Sequence, residues 1–181
     1  MLVVNFFGEP CAGKTAAAAG LFYELKLNYI DAVLVQEAAT DYILAGALNS
    51  LEDQALVLGE QHNRIWRLLK RGIQVAVVDS PLPLCALYAG KFLTPAFEAY
   101  VRQRFESFDN LNIFLTRRHA YKQLNRIHDE DQASVVRQQL RDLLSRWEVP
   151  LIEMTATRRL PHDLLPLILN RLSGQKPAEP G

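Results

Sequence analysis

Residues 8 to 15 read Gly8-Glu9-Pro10-Cys11-Ala12-Gly13-Lys14-Thr15, the spacing G-x-x-x-x-G-K-[ST]. The pattern constrains the fold because it works only where a strand enters it and a helix leaves it. Both flanks comply. Leu2-Val3-Val4-Asn5-Phe6-Phe7 is apolar and β-prone, and Thr15 through Lys26 is rich in Ala and Leu. In that setting successive backbone N–H groups turn inward on phosphate oxygens, and the helix N-terminus adds a partial positive charge. The loop and the following Ala16 are therefore expected to cradle a nucleoside triphosphate. Lys14 is expected to reach its β- and γ-phosphates, and the Thr15 hydroxyl to hold Mg²⁺. ATP with Mg²⁺ is the expected pair.

The rest of the chain alternates strands with helical stretches. Strands are predicted at Val3–Phe7, Ala32–Gln36, Gln74–Val78 and Leu111–Leu115, with a fifth at Pro150–Met154. Helices are predicted near 14–28, 51–71, 93–107, 131–147 and 161–172. Such alternation implies right-handed crossovers and an α/β fold whose parallel sheet is covered on both faces. A chain of 181 residues suits one such domain, expected over 1–172, with the proline-rich tail 173–181 disordered. Lys plus Arg balance Asp plus Glu at 20 each, so any polyanion contact has to come from a local patch. Two cysteines, Cys11 and Cys85, fit free thiols in a reducing compartment. No apolar run approaches the roughly 18 residues of a membrane span, and no secretory leader is recognisable. A cytoplasmic protein without membrane attachment is expected.

Ligands of such sheets sit outside the carboxyl ends of the strands, which makes those ends a catalogue of candidates. Asp79 follows Val77-Val78 and is expected to hold Mg²⁺ or a water on it; the alternative is a helix N-cap. Glu37 ends the second strand, where a carboxylate can accept the proton of an attacking hydroxyl or hydrogen-bond a substrate, or else start a helix. Asp41, one turn on, either shares that site or is a solvated surface charge. The basic stretch from Arg117 to Arg126 sits where a lid would close, and Arg117 and Arg126 are candidates for stabilising charge on the transferring phosphoryl group. A solvated loop or a contact to a nucleic-acid backbone is the alternative. His119 and His128 are too far apart for a metal site. Arg102 and Arg104 alternate with aromatics on a predicted helix, an arrangement that suits either base stacking or core packing. Trp66 and Trp147 are assigned to packing.

With these residues in hand, the chain resembles the small P-loop kinases of bacteriophages that are often labelled AAA-family ATPases, related to the nicotinamide riboside kinase domain. The matching stretches are Asn5-Phe6-Phe7-Gly8, Ala18 through Lys26, Glu37-Ala38-Ala39-Thr40-Asp41, and Asp53-Gln54 with Glu60-Gln61. They continue through Asp79-Ser80-Pro81-Leu82 and Asn112 through Arg117, with Tyr121 and Arg126. The resemblance implies a kinase-like P-loop fold with a basic lid, and phosphoryl transfer to a hydroxyl. It adds Gln54, Gln61, Ser80 and Tyr121 to Glu37 and Asp41 as substrate-binding candidates. The acceptor it implies is a nucleoside, a nucleotide or a modified base, most sharply the hydroxymethyl group of 5-hydroxymethyluracil in phage DNA. The DNA version predicts a basic surface formed by Arg102, Arg104, Arg117 and Arg118. The rival is an ATPase that drives a partner protein. The label does not imply a ring motor, because no sensor or oligomer-forming arginine is recognisable, and the oligomeric state stays open.

Overall fold

The computed structural model describes residues 1–117 and 130–174. The first strand, β1 (Leu2–Phe7), is buried along its whole length, as its unbroken apolar run requires of a strand covered on both faces. Four more follow: β2 (Ala32–Val35), β3 (Val75–Val78), β4 (Asp109–Thr116) and β5 (Ile152–Thr155). They form one parallel sheet in the order β2-β3-β1-β4-β5. The expected α/β architecture is the observed one.

Among the described residues seven α-helices flank the strands: α1 (Lys14–Leu27), α2 (Ala38–Leu44), α3 (Gln54–Lys70), α4 (Pro83–Tyr88), α5 (Pro95–Glu106), α6 (Glu130–Arg146) and α7 (Leu160–Gly174). The helix predicted from residue 51 starts instead at Gln54. The Asp53 carboxylate accepts the Ala55 and Leu56 N–H groups at 3.1 and 3.3 Å and caps it there. Leu48–Leu51 forms a separate 3₁₀ turn. The short helices α2 and α4 are absent from the predicted set, since 7 and 6 residues carry too little periodicity to read, although Glu37 does stand at the start of α2, as one of its two readings expected.

The two sheet faces carry two cores. Leu2, Val4 and Phe6 pack with Leu21 and Leu25 of α1 and Leu164 and Ile168 of α7. Val3, Phe7 and Phe114 pack with Ile65 of α3, Phe105 of α5 and Leu140 of α6. Helices α1 and α7 approach closely because Gly20 has no side chain: a Cβ there would lie 2.7 Å from Pro161 Cγ. Trp147 is buried as expected, its Nε1–H donating to Glu98 at 3.0 Å. Trp66 is not a core residue. It lies 45% exposed on the outer side of α3, with the Lys70 ammonium 5.3 Å from its ring.

One polar element runs through the second core. Asn5 lies opposite Asn112 in the β1–β4 register and is 1% exposed. Its amide donates to Asn110 and Asn112, both at 2.9 Å. Asn110 in turn donates to the Phe105 and Phe108 carbonyls, and Asn112 to that of Pro150. The ladder ties β1 to β4 and to the turns behind them. Replacing Asn5 by Leu leaves buried amide oxygens without their donor, so N5L is expected to lower the unfolding free energy by about 2 kcal/mol. Urea denaturation followed by circular dichroism measures it; a wild-type midpoint would remove the ladder from the stability account.

Candidate functional site

The loop after β1 is shaped by three residues with positive φ. Gly8 (+146°) and Gly13 (+90°) use the freedom of glycine, and a Cβ on Gly8 would lie 3.0 Å from the Leu115 carbonyl oxygen. Cys11 holds the same kind of conformation, at +64°, with a side chain. The turn closes through Ala12 N–H to the Glu9 carbonyl at 3.1 Å. Helix α1 then starts with no side-chain cap and no acid in its first turn. Its first N–H groups and its dipole are therefore presented to the loop, which fits a phosphate group. Lys14 Nζ donates to the carbonyls of Gly8 and Glu9, both at 3.1 Å, so it lies along the loop it is expected to serve. Thr15 is exposed beside it.

Glu9 has a second task. Its side chain is 2% exposed and receives Arg117 bidentately, Nε at 2.8 Å and Nη2 at 3.2 Å. Arg117 is the first residue after β4, one strand over from the loop. The sequence offered it as a lid arginine; the structure holds its guanidinium on the loop carboxylate. Its proposed lid companion Arg126, together with Arg118, His119, Tyr121 and His128, lies outside the described residues, as does the tail from residue 175.

Strand register brings the acids to the same edge. Val78 pairs with Asn5 on one side and with Val35 on the other, so Asp79 leaves the sheet beside the start of the loop. Its N–H donates to the Val35 carbonyl at 3.2 Å. Its half-buried carboxylate makes no hydrogen bond or ion pair with the described residues. The helix-cap alternative fails, because α4 begins at Pro83 with Leu82 in the cap position. An acid at the end of the strand beside β1, with no partner among the described residues, fits Mg²⁺ by its oxygen chemistry.

Glu37 follows β2 and is half-buried. Its two oxygens accept from Ser80 at 3.2 Å and from Thr40 at 3.4 Å. Gln61 of α3, 2% exposed, accepts the Ala38 N–H at 2.8 Å and so anchors the first turn of α2. Glu37, Gln54, Gln61, Ser80, Cys85 and Tyr88 share one small hollow of about 30 Å³. Thus the structure brings Glu37, Gln54, Gln61 and Ser80 together. Asp41 points elsewhere. It is ion-paired with Arg64, which also binds Glu60 at 3.1 Å and the Gln36 carbonyl at 3.3 Å, around a different hollow.

Sequence reasoning passed over Cys85 as a site residue. Nothing around it marks the position, because the short α4 that delivers it has no readable period. Burial, and then the nearby Glu37 carboxylate, pushes its thiol up to about 12. A hollow of about 570 Å³ lies between α5 and α6, and its charges are already matched: Glu98 binds Arg146 at 2.8 Å, which holds the Glu98 carboxyl below the usual range. The basic surface predicted from four arginines does not assemble from the described ones. Arg102 binds Glu106, Arg104 lies over the Tyr100 ring, and Arg117 binds Glu9.

A parallel sheet flanked by helices, with a glycine loop running into an uncapped helix and an acid at the neighbouring strand end, defines a P-loop nucleotide-binding protein. Residues 3–159 match the AAA domain family, and the chain belongs to that family of nucleotide-binding, ATPase- or kinase-like proteins. No curated protein matches it. Among the described residues no helix is long and apolar enough to cross a membrane.

Two outcomes follow from this geometry. R117M strands the Glu9 carboxylate in the interior and should lower stability by about 3 kcal/mol, while E9Q/R117M should recover most of it. Urea midpoints of the four chains in the cycle check the pairing; a double variant no better than R117M would contradict it. Native protein treated with iodoacetamide at pH 8 should be modified at Cys11, which is partly exposed, and spared at Cys85 until denaturant is added. Peptide mass mapping reads the result.

Proposed function

We propose that this protein is an ATP- and Mg²⁺-dependent kinase that transfers the γ-phosphoryl group to a hydroxyl of a nucleoside- or nucleotide-type acceptor. The observation that carries the reading is Glu37: a carboxylate at the end of β2, held by hydroxyls, one strand from Asp79 and two from the phosphate loop. Hydrolysis alone has no need of a shaped hollow around such a group, whereas a hydroxyl substrate does.

In this reading the loop amides and Lys14 hold the triphosphate, and Thr15 and Asp79 would hold the magnesium ion. The ion supplies neutralisation of charge on the β- and γ-phosphates. Glu37 accepts the proton of the acceptor hydroxyl as its oxygen bonds to the γ-phosphorus. The bond from that phosphorus to the bridging oxygen breaks, and ADP leaves with the electron pair. Ser80 and Thr40 orient the carboxylate. Positioning and electrostatics provide the catalysis, with no covalent intermediate on the protein. The hydroxymethyl group of 5-hydroxymethyluracil in DNA, a free nucleoside and a nucleotide are all acceptors of the required kind. A P-loop ATPase driving a partner protein is the competing reading.

Incubation with γ-labelled ATP and pools of candidate acceptors separates these. Label in an organic acceptor, absent with K14A, supports the kinase. ATP turnover that yields only inorganic phosphate and ignores acceptors supports the ATPase. E37Q should reduce kcat by roughly 10²–10⁴ while ATP binding stays as in the wild type; undiminished transfer would remove Glu37 as the base.

A further inference from the structure

The phosphate loop is seated on the ends of two strands that do not lead into it. A Cβ on Gly8 would lie 3.0 Å from the Leu115 carbonyl oxygen of β4, and one on Gly13 would lie 3.2 Å from Ala156 Cβ, just past β5. Both distances are tighter than an ordinary contact, so the loop backbone lies directly against both strand ends. Those ends are tied to each other, Ala156 N–H donating to the Thr116 carbonyl at 3.2 Å. Glu9 adds a third contact with this seat, made by charge, through Arg117 at the exit of β4.

One peptide group of the loop carries much of its shape. The Glu9 carbonyl accepts the Ala12 N–H, which closes the turn, and the Lys14 ammonium, both at 3.1 Å. Rotation of that group would open the turn and release Lys14 together. The side chain of the same residue resists such a rotation. Its two carboxylate oxygens are held by Arg117 Nε and Nη2 at 2.8 and 3.2 Å, a planar fork that fixes orientation as well as distance. Glu9 is buried and Arg117 largely so, which leaves water little access to compete for either. A loop that has to order itself around a triphosphate binds it more weakly than one already held.

We propose that Arg117 is a positioning residue for nucleotide binding: through Glu9 it holds the phosphate loop in its binding shape before the nucleotide arrives, with the ends of β4 and β5 as the seat. Its effect is then on affinity for ATP, exerted from beneath the loop, and not on the transferring phosphoryl group. The proposal rests on nucleotide binding by the loop and is independent of the acceptor, so it holds whether the γ-phosphoryl group goes to a hydroxyl or to water.

The test titrates the wild type, E9Q, R117M and E9Q/R117M with a fluorescent ATP analogue and Mg²⁺, under conditions where circular dichroism shows each chain folded. E9Q and R117M should each raise Kd about tenfold, and the double variant no further than either, because all three remove the same contact. The double variant is the one expected to recover stability, so a raised Kd in it separates positioning from stabilisation; a wild-type Kd there would overturn the proposal. An R117M effect that persists in full in the E9Q background would put Arg117 on the nucleotide itself and would overturn it as well. R117K, which keeps the charge without the fork, should fall between the wild type and R117M, and it replaces R117M in the cycle if that chain does not fold. In ATP turnover the loss should fall mainly on KM for ATP; a loss mainly in kcat would make Arg117 a lid arginine and sink the assignment. Failure of the kinase reading shows separately, as turnover to inorganic phosphate alone, and leaves these Kd values where they are. A wild type that binds no analogue would overturn the role of the loop and this proposal with it.

Discussion

Everything at the strand ends depends on the pairing of β1 with two parallel neighbours. Its register with β3 sets Asp79 beside the start of the phosphate loop, and its register with β4 delivers Arg117 to Glu9. Because side chains alternate across a strand, a slip of one residue would turn Asn5 out of its amide ladder and drive Val4 into its place. The ladder is thus a register device: three asparagines that satisfy one another only when Asn5 stands opposite Asn112. A slip of two residues would keep the apolar side chains on their faces, and the amides set the native alignment apart by matching Asn5.

The same edge sorts its carboxylates by partner. Glu9 is buried and matched by Arg117, so the loop carries no net repulsion toward phosphate from that side chain. Asp79 has no partner among the described residues, and an unmatched acid at this place is suited to a cation. Among the described residues Glu37 is bonded to hydroxyls and to no cation. Asp41, only four residues on, has a guanidinium in Arg64 and is correspondingly a structural acid. Four carboxylates in one corner of the fold thus differ by what touches them, not by residue type.

The fold and the phosphate loop were legible in the sequence because both rest on local pattern. An apolar run before Gly8, an Ala-rich run after Thr15 and three further strand-helix alternations leave little choice of architecture. The placement of Glu37 and Asp79 at strand ends was legible for a related reason, since each follows closely on an apolar run. What could not be read depends on contacts distant in sequence. Arg117 and Glu9 are 108 positions apart, and nothing near Arg117 says that it turns to the loop and not outward. Asp41 looked like a partner of Glu37 because they are neighbours in the chain, yet Arg64 from another helix decides its direction. Trp66 misled for the opposite reason: its size argues for burial, and only the phase of α3 places it outside.

On the proposed reading, in which Glu37 is the base, the groups touching it have to be neutral. A lysine or arginine bonded to it would favour its charged form and so oppose the uptake of a hydroxyl proton. The described lining of its hollow conforms: Ser80 comes from the β3 end, and Gln54 and Gln61 come from α3. Gln61 is the one fixed most firmly, since its oxygen holds the Ala38 N–H and with it the first turn of α2 next to Glu37.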